Sequence, residues 1–340
     1  MNSPKIKAIS IYLPDSVLTN DILEREFSSW SADKIFRKTG IMKRHIALKE
    51  TTSEMAIKAA ENLFKENNID RNSIDFMLLC TQSPDYFLPT TACIVQNKLF
   101  LNKSTGALDF NLGCSGYIYG LFMASSFIRS GFCKNILLLT TEKYSRYIHP
   151  KDRGTRTIFG DAATATLISE TGWAQIETFD LGTDGSGAEN LIVPAGGDAM
   201  PHSAETSKET EDDVGNVRSR DNIYMNGPEI FNFTLEAVPQ TISNILNKSS
   251  LKKTDIDYFI FHQANSFMLE TLRVKMEIPE SKFIVDICDY GNTVSNTIPI
   301  ALKHSCDNKR FNNGSKILLT GFGVGYSWGS VILRYEEDSR

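Results

Sequence analysis

Three side chains in this 340-residue chain have types and settings suited to nucleophilic chemistry. Cys114 lies in NLGCSGY, where an apolar run stops and a helical pattern begins. Gly113 and Gly116 permit a tight strand-to-helix turn there. A thiol at a helix N-terminus meets the positive end of the helix dipole, which lowers its pKa and favours thiolate. A buried structural cysteine fits the same position, and spacing alone does not choose between them. His262 closes the apolar run YFIFH and stands in FHQAN. Alone it reads equally as a hydrogen-bonded core histidine. Asn292 stands in YGNTVSNTIP, as an amide donor or as a helix cap, two roles compatible at different groups. The other cysteines, Cys80, Cys93, Cys133, Cys288 and Cys306, lie inside apolar runs or helical patterns and read as structural.

What must position these residues is visible as an internal repeat. AENLFKENNIDRNSIDFMLLCTQ (60–82) matches ISNILNKSSLKKTDIDYFIFHQ (242–263): a helix end, a polar link, Ile-Asp-aromatic, then an apolar strand. Downstream of the first copy come a helix over 90–100, a strand over 107–112 and the junction at Cys114. Downstream of the second come a helix over 265–275, a strand over 283–287 and Asn292 opening a helix. Strand 135–141 then answers 316–320, and 162–169 answers 328–335. Alternating strands and helices predict mainly parallel sheets covered by helices. Two repeated α/β halves follow: residues 1–175 carry Cys114 and residues 176–340 carry His262 and Asn292. Two sheets packed through shared helices are expected. Chemistry in such folds gathers beyond the carboxyl ends of strands, so the repeat draws the three residues to one crevice.

Composition narrows the class. The net charge of −5 argues against nucleic acid as a partner. No run reaches the length of a membrane span, and the N-terminal apolar stretch is broken by Pro14 and Asp15, so neither a span nor a signal peptide is expected. Six cysteines without a CxxC pair read as reduced thiols in a cytoplasm. Histidines without zinc-ligand spacing predict no metal site. Gly321-Phe322-Gly323-Val324-Gly325 is not a dinucleotide loop, because only a short strand follows it. Such a bend between strands can instead bring a backbone N–H to a substrate oxygen. Gly160 and Gly329 read as turn residues. Residues 183–222, rich in Gly, Ser, Thr and charge, read as a surface insertion or a lid.

Six segments together resemble the ketoacyl-acyl carrier protein synthase III family of the thiolase superfamily: KTGIMKRHIA (38–47), LDFNLGCSGY (108–117), DRGTRTIFGDAATA (152–165), FHQAN (261–265), YGNTVSNTIP (290–299) and GFGVGYSWGS (321–330). The resemblance runs along nearly the whole chain. It implies a thiolase-like fold with a five-layered α/β/α/β/α core, and a homodimer. It implies an acyltransferase that loads an acyl group on Cys114. Decarboxylative Claisen condensation with a malonyl thioester of acyl carrier protein then gives a 3-oxoacyl thioester, in fatty acid or specialised lipid and polyketide biosynthesis. His262 and Asn292 are implied as catalytic partners, and the backbone N–H groups of Cys114 and Val324 as the oxyanion hole. Coenzyme A and carrier-protein thioesters are implied as substrates, with no permanently bound cofactor. Lys38, Arg153, Gly227, Asn265 and Phe267 fall at substrate-binding positions. Leu88, before Pro89, falls where relatives line the partner subunit's acyl pocket.

The chain also departs from that pattern. Lys34 and Lys38 stand where relatives clamp adenine with Trp and Arg, so no stacking clamp is expected. Phe267 replaces an Arg that docks the carrier protein, with Lys275 further along the same helix, and Pro228 replaces an Asn after Gly227. The family's Gly-Gly-Gly bend reads Gly-Val-Gly. These differences predict a primer other than acetyl coenzyme A. Type III polyketide synthases, which share the triad and a GFGxG loop, remain an alternative. So do acyl transfer to an alcohol or amine without C–C bond formation, a Cys/His/Asn hydrolase and an inactive subunit. Asn rather than Asp at 292 favours condensation, because a carboxylate would repel both the malonate and its enolate.

Overall fold

Short apolar runs bounded by polar turns build the strands, as strands buried on both faces require. The computed structural model describes residues 3–27 and 30–337. Its strands in chain order are β1 (Lys5–Tyr12), β2 (Val17–Thr19), β3 (Lys43–His45), β4 (Phe76–Cys80), β5 (Gly106–Phe110), β6 (Asn135–Glu142), β7 (Ala162–Ser169), β8 (Ala174–Thr183), β9 (Leu191–Ile192), β10 (Thr210–Glu211), β11 (Val217–Arg218), β12 (Tyr224–Met225), β13 (Tyr258–Phe261), β14 (Phe283–Ile284), β15 (Lys316–Gly323) and β16 (Ser327–Tyr335). Its α-helices are α1 (Asn20–Glu26), α2 (Ala32–Thr39), α3 (Thr52–Glu66), α4 (Thr91–Lys98), α5 (Gly116–Arg129), α6 (Arg153–Arg156), α7 (Gly227–Ser249), α8 (Ser266–Lys275) and α9 (Thr297–Asp307).

The repeat is a topological identity. In the first half the strand order is β5-β4-β6-β7-β1, and in the second it is β14-β13-β15-β16-β8. In each, the first three strands run parallel and the last two are antiparallel to their neighbours. The two sheets were expected to be separate. Instead β1 and β8 pair at their edges, Lys5 with Gln175 and Ile6 with Ala174, so one ten-stranded ladder runs through both halves. The fold is thiolase-like, with layers set by three cores. Ile118, Leu121 and Ile128 of α5 and Ile298 and Leu302 of α9 fill the middle, between the sheets. The helices α3 and α4 cover the first sheet from outside, and α7 and α8 cover the second. Thr51 and Glu54 form a reciprocal capping box that starts α3, a motif legible as T-x-x-E.

Residues 183–222 are not structureless. They contain a 3-10 turn, the hairpin β10–β11 and strand β9, which pairs with β12. Ion pairs tie them down: Arg218 reaches Asp152 (3.2 Å) and Asp212 (2.7 Å). Gly329 is not a turn residue but lies inside β16. Among the described residues, no helix is long and apolar enough to cross a membrane.

Candidate active site

Cys114, His262 and Asn292 line one cavity of about 190 Å³, together with Phe159, Gly227 and Met268. Each arrives from a different element. Cys114 follows β5 and precedes α5, which begins at Gly116 after Ser115 at its cap. Gly113 has no room for a side chain: a Cβ there would meet Gln82 Oε1 at 2.5 Å and Val324 Cγ1 at 2.6 Å. The Gly-rich bend is equally tight. A Cβ on Gly323 would stand 3.0 Å from Cys114 Sγ, so the backbone leading to the Val324 N–H passes directly beside the thiol. His262 lies one residue past β13, its N–H donating to Thr320 O at 2.8 Å.

The first half of the chain holds Asn292 in place. Its N–H donates to Ile158 O (2.9 Å), and its carbonyl accepts from Gly160 N–H (3.0 Å). Asn292 is not the cap residue expected: Thr293 caps the 3-10 turn Val294–Asn296 and Asn296 caps α9. Its Oδ1 accepts from the N–H of Val294, the first residue of that turn, at 2.9 Å. That bond turns Nδ2 toward His262 Nε2, 3.4 Å away. His262 Nδ1 lies 2.8 Å from Thr297 Oγ1.

Burial decides the protonation states. His262 is 2% exposed, and burial pulls its pKa down to about 3, against a weaker opposing hydrogen bond from the ring to the Val294 carbonyl. The ring is therefore neutral, able to accept one proton or donate one hydrogen bond. Cys114 corrects the expectation of a dipole-stabilised thiolate. Burial first, and the neighbouring Glu142 second, push its pKa up. The resting group is a thiol whose proton must be removed. Glu142 is itself fully buried and raised by desolvation, against hydrogen bonds from Gln82 N–H (3.1 Å) and the Ser83 hydroxyl (3.2 Å). A thiol, a neutral imidazole, an amide and an adjacent Gly-rich backbone suit acyl transfer through a covalent thioester.

The protein-family comparison decides which such chemistry this is. Residues 108–185 match the model described as 3-oxoacyl-acyl-carrier-protein (ACP) synthase III, and residues 246–335 match its C-terminal model. The beta-ketoacyl-acyl-carrier-protein synthase III of Campylobacter concisus is 37% identical over 98% of this chain and 97% of its own length. This chain belongs to the ketoacyl synthase III family. Among solved structures, a 3-oxoacyl-(acyl-carrier-protein) synthase III superposes with a TM-score of 0.95 at 45% identity, covering 98% of this chain and 100% of that one. The 3-oxoacyl-(acyl-carrier protein) synthase of Burkholderia xenovorans follows at 0.89 and 35%, covering 98% and 94%.

Of the outer positions expected from the synthase III pattern, two reach the Cys114 cavity and the others lie elsewhere. Gly227 opens α7 and Asn265 caps α8 through Met268 N–H (2.8 Å), and both line it. Phe267 is 64% exposed and stacks on Phe231 at 5.5 Å. Lys38 and Arg153 meet where sequence spacing did not point, on the indole of Trp30, at 4.7 and 5.6 Å, with Lys34 at 5.3 Å. An aromatic ring thus stands beside these cations, supplied from outside α2. Leu88 is 82% exposed, between Phe87 (89%) and Pro89, and does not line the cavity of its own chain. A second cavity of about 870 Å³ adjoins the first. Tyr144 and Leu191 line both, so they form the partition. The Tyr144 hydroxyl donates to Gln82 Oε1 at 2.6 Å. Sequence reasoning missed Trp30 and Tyr144, which belong to no motif, and Thr297, which stands inside YGNTVSNTIP but carries no role legible from spacing.

Proposed function

We propose that this protein forms 3-oxoacyl thioesters by decarboxylative Claisen condensation. The convergence of Cys114, His262 and Asn292 on one buried cavity, in a synthase III chain, carries the reading. An acyl thioester donor loads Cys114: His262 Nε2 takes the thiol proton and passes it to the departing sulfur. The backbone N–H groups of Cys114 and Val324 hold the thioester oxygen. A malonyl thioester then loses CO₂, and its enolate oxygen accepts hydrogen bonds from His262 and Asn292. The enolate carbon attacks the acyl group and releases Cys114. Residues 1–175 supply the nucleophile and residues 176–340 its two partners.

Coenzyme A and carrier-protein thioesters are the proposed substrates, with no permanently bound cofactor. Trp30 with Lys34, Lys38 and Arg153 favours a donor that pairs an aromatic base with phosphates. Gly227, Asn265 and Phe267 border the path of the pantetheine arm. A homodimer is the proposed assembly, Leu88 reaching the partner's acyl pocket, and the cytoplasm is the proposed compartment.

The test combines intact-protein mass with labelled malonyl donor. Acyl coenzyme A should add one acyl mass, absent in Cys114→Ala, and malonyl-acyl carrier protein should then release labelled CO₂. Adduct that leaves to water without CO₂ release would instead support a hydrolase.

A further inference from the structure

We propose that Thr297 selects which nitrogen of His262 carries the ring proton, and so switches the ring between the two half-reactions. The inference rests on the condensing role given above to Cys114, His262 and Asn292.

The half-reactions ask opposite things of Nε2. In loading, Nε2 must offer a lone pair to the Cys114 S–H. It takes that proton as the new thioester forms and returns it to the leaving sulfur as the old C–S bond breaks. In condensation, the malonyl C–C bond breaks, CO₂ departs and the electron pair moves to the enolate. Now Nε2 must carry a hydrogen and donate it as a hydrogen bond to the enolate oxygen. The freed Cys114 thiolate then regains a proton from water. A ring kept neutral by burial holds one proton only, so that proton has to change nitrogens between steps.

The partner at Nδ1 decides where it sits. Thr297 Oγ1 lies 2.8 Å from Nδ1 and 3.1 Å from Val294 O. Both side chains are buried, each 2% exposed. With the hydroxyl donating to Val294 O, its lone pair accepts Nδ1–H and Nε2 is bare. Asn292 Nδ2 faces that lone pair at 3.4 Å. With the hydroxyl swung to donate to Nδ1, the ring's one proton sits on Nε2, having left Nδ1 to water and been replaced at Nε2 by one from water while the cavity is open between the two substrates. A carbonyl can only accept, so Val294 O serves one tautomer, whereas a hydroxyl serves both.

The backbone between these groups is bent to allow this. Val294 is β-branched, fully buried and at φ 58°, in the left-handed region that such residues avoid. Its N–H is held by Asn292 Oδ1 and its carbonyl by the Thr297 hydroxyl. Strain of this kind persists where surroundings over-determine it, and it concentrates at functional sites. One strained residue thus orients both the Asn292 amide and the hydroxyl behind His262.

The experiment compares Thr297→Val, which keeps the shape and removes the O–H, with Thr297→Ser, which restores it. In the valine variant Nδ1–H is pinned to a carbonyl acceptor. Acyl loading should stay within about threefold of wild type, while CO₂ release from malonyl-acyl carrier protein falls about 100-fold, the scale of a lost oxyanion donor. The serine variant should recover both steps. Nitrogen-15 spectra, with His262 assigned by its loss in His262→Ala, should report Nε2 unprotonated in the valine variant and shared protonation in wild type. Equal slowing of both steps in Thr297→Val, wild-type CO₂ release in that variant, or identical His262 spectra would each overturn the inference. A wild-type protein that never loads Cys114 would overturn the condensing reading instead, and the spectra would still decide the role of Thr297.

Discussion

At the residue scale, the site works by keeping charges away until the substrate brings them. His262 is neutral because burial penalises imidazolium, and Asn292 supplies a donor that cannot ionise. Replacing Asn292 by Ala should leave loading near wild type and slow decarboxylation by about 10²–10³, the measured range for one such donor. Single-turnover CO₂ release from pre-loaded enzyme checks it, and equal damage to both steps would refute the division of labour. The His262 pKa also makes a prediction about acid. A base depressed to about 3 in the fold binds fewer protons there than in the unfolded chain, where it titrates near 6.5. Its contribution to stability is therefore present above pH 6.5 and lost as pH falls toward 3, at up to about 1.4 kcal/mol per pH unit. Relative to His262→Phe, the wild type should lose midpoint in urea steadily between roughly pH 6.5 and pH 4. Parallel loss in both proteins would show that the ring is not held neutral. Cys114, His262 and Asn292 were legible because motif and repeat both mark them. Thr297 was not, because its meaning lies in a 2.8 Å contact with a residue 35 positions away.

At the element scale, strand interiors were legible and their ends were not. Apolar runs such as those of β4, β6 and β13 read directly as strands buried on both faces. The expected strand over 283–287 stops at Ile284, because the side chain of Gln263 takes over the ladder and accepts from Asp286 N–H at 2.7 Å. The strand expected over 316–320 runs on to Gly323, since β16 pairs with it through Gly321–Gly329, Phe322–Trp328 and Gly323–Ser327. Gly321 and Gly323 of this bend therefore sit inside a ladder, and their job is clearance. Gly323→Ala would thrust a methyl to 2.9 Å from Cys114 Cβ and 3.0 Å from its Sγ, with a β ladder preventing retreat. Overpacking of this kind costs about 1–3 kcal/mol. The variant should melt several degrees lower and load acyl groups at least about tenfold more slowly, since a 1 Å misplacement of reacting groups is felt at that scale. Unchanged melting together with unchanged loading would show that the bend has slack. Residues 183–222 were illegible for a different reason. Their anchors, such as Arg218 to Asp152 and Val217 N–H to Lys151 O, lie in a distant stretch of chain.

At the scale of the molecule, the repeat explains why one cavity can draw on both ends of the chain: equivalent strand ends in two halves face a shared middle layer. The joining of the sheets through Lys5 and Ile6 was not legible, because two residue pairs leave no periodic signal. That ladder still ends in edges, at β5 and β14. The residues of β5 are only half-buried, and near its half of the fold stands a loop with Tyr86, Phe87 and Leu88 exposed at 62, 89 and 82%. An open edge strand invites pairing with another chain, and apolar side chains exposed in a row mark an interaction surface. A second copy satisfies both needs at once, which is why a dimer is proposed over a monomer with a bare edge. Sedimentation should therefore give twice the chain mass of 38.0 kDa at micromolar concentration. The double variant Phe87→Asp, Leu88→Asp buries two carboxylates at such an interface, a cost of several kcal/mol per ion. It should sediment as a monomer, keep the wild-type circular dichroism spectrum and lose acyl loading, because the acyl pocket then lacks its wall from the partner. A wild-type monomer with full activity, or a monomeric variant that loads normally, would show that each chain is complete alone and that Leu88 serves no pocket but its own surroundings.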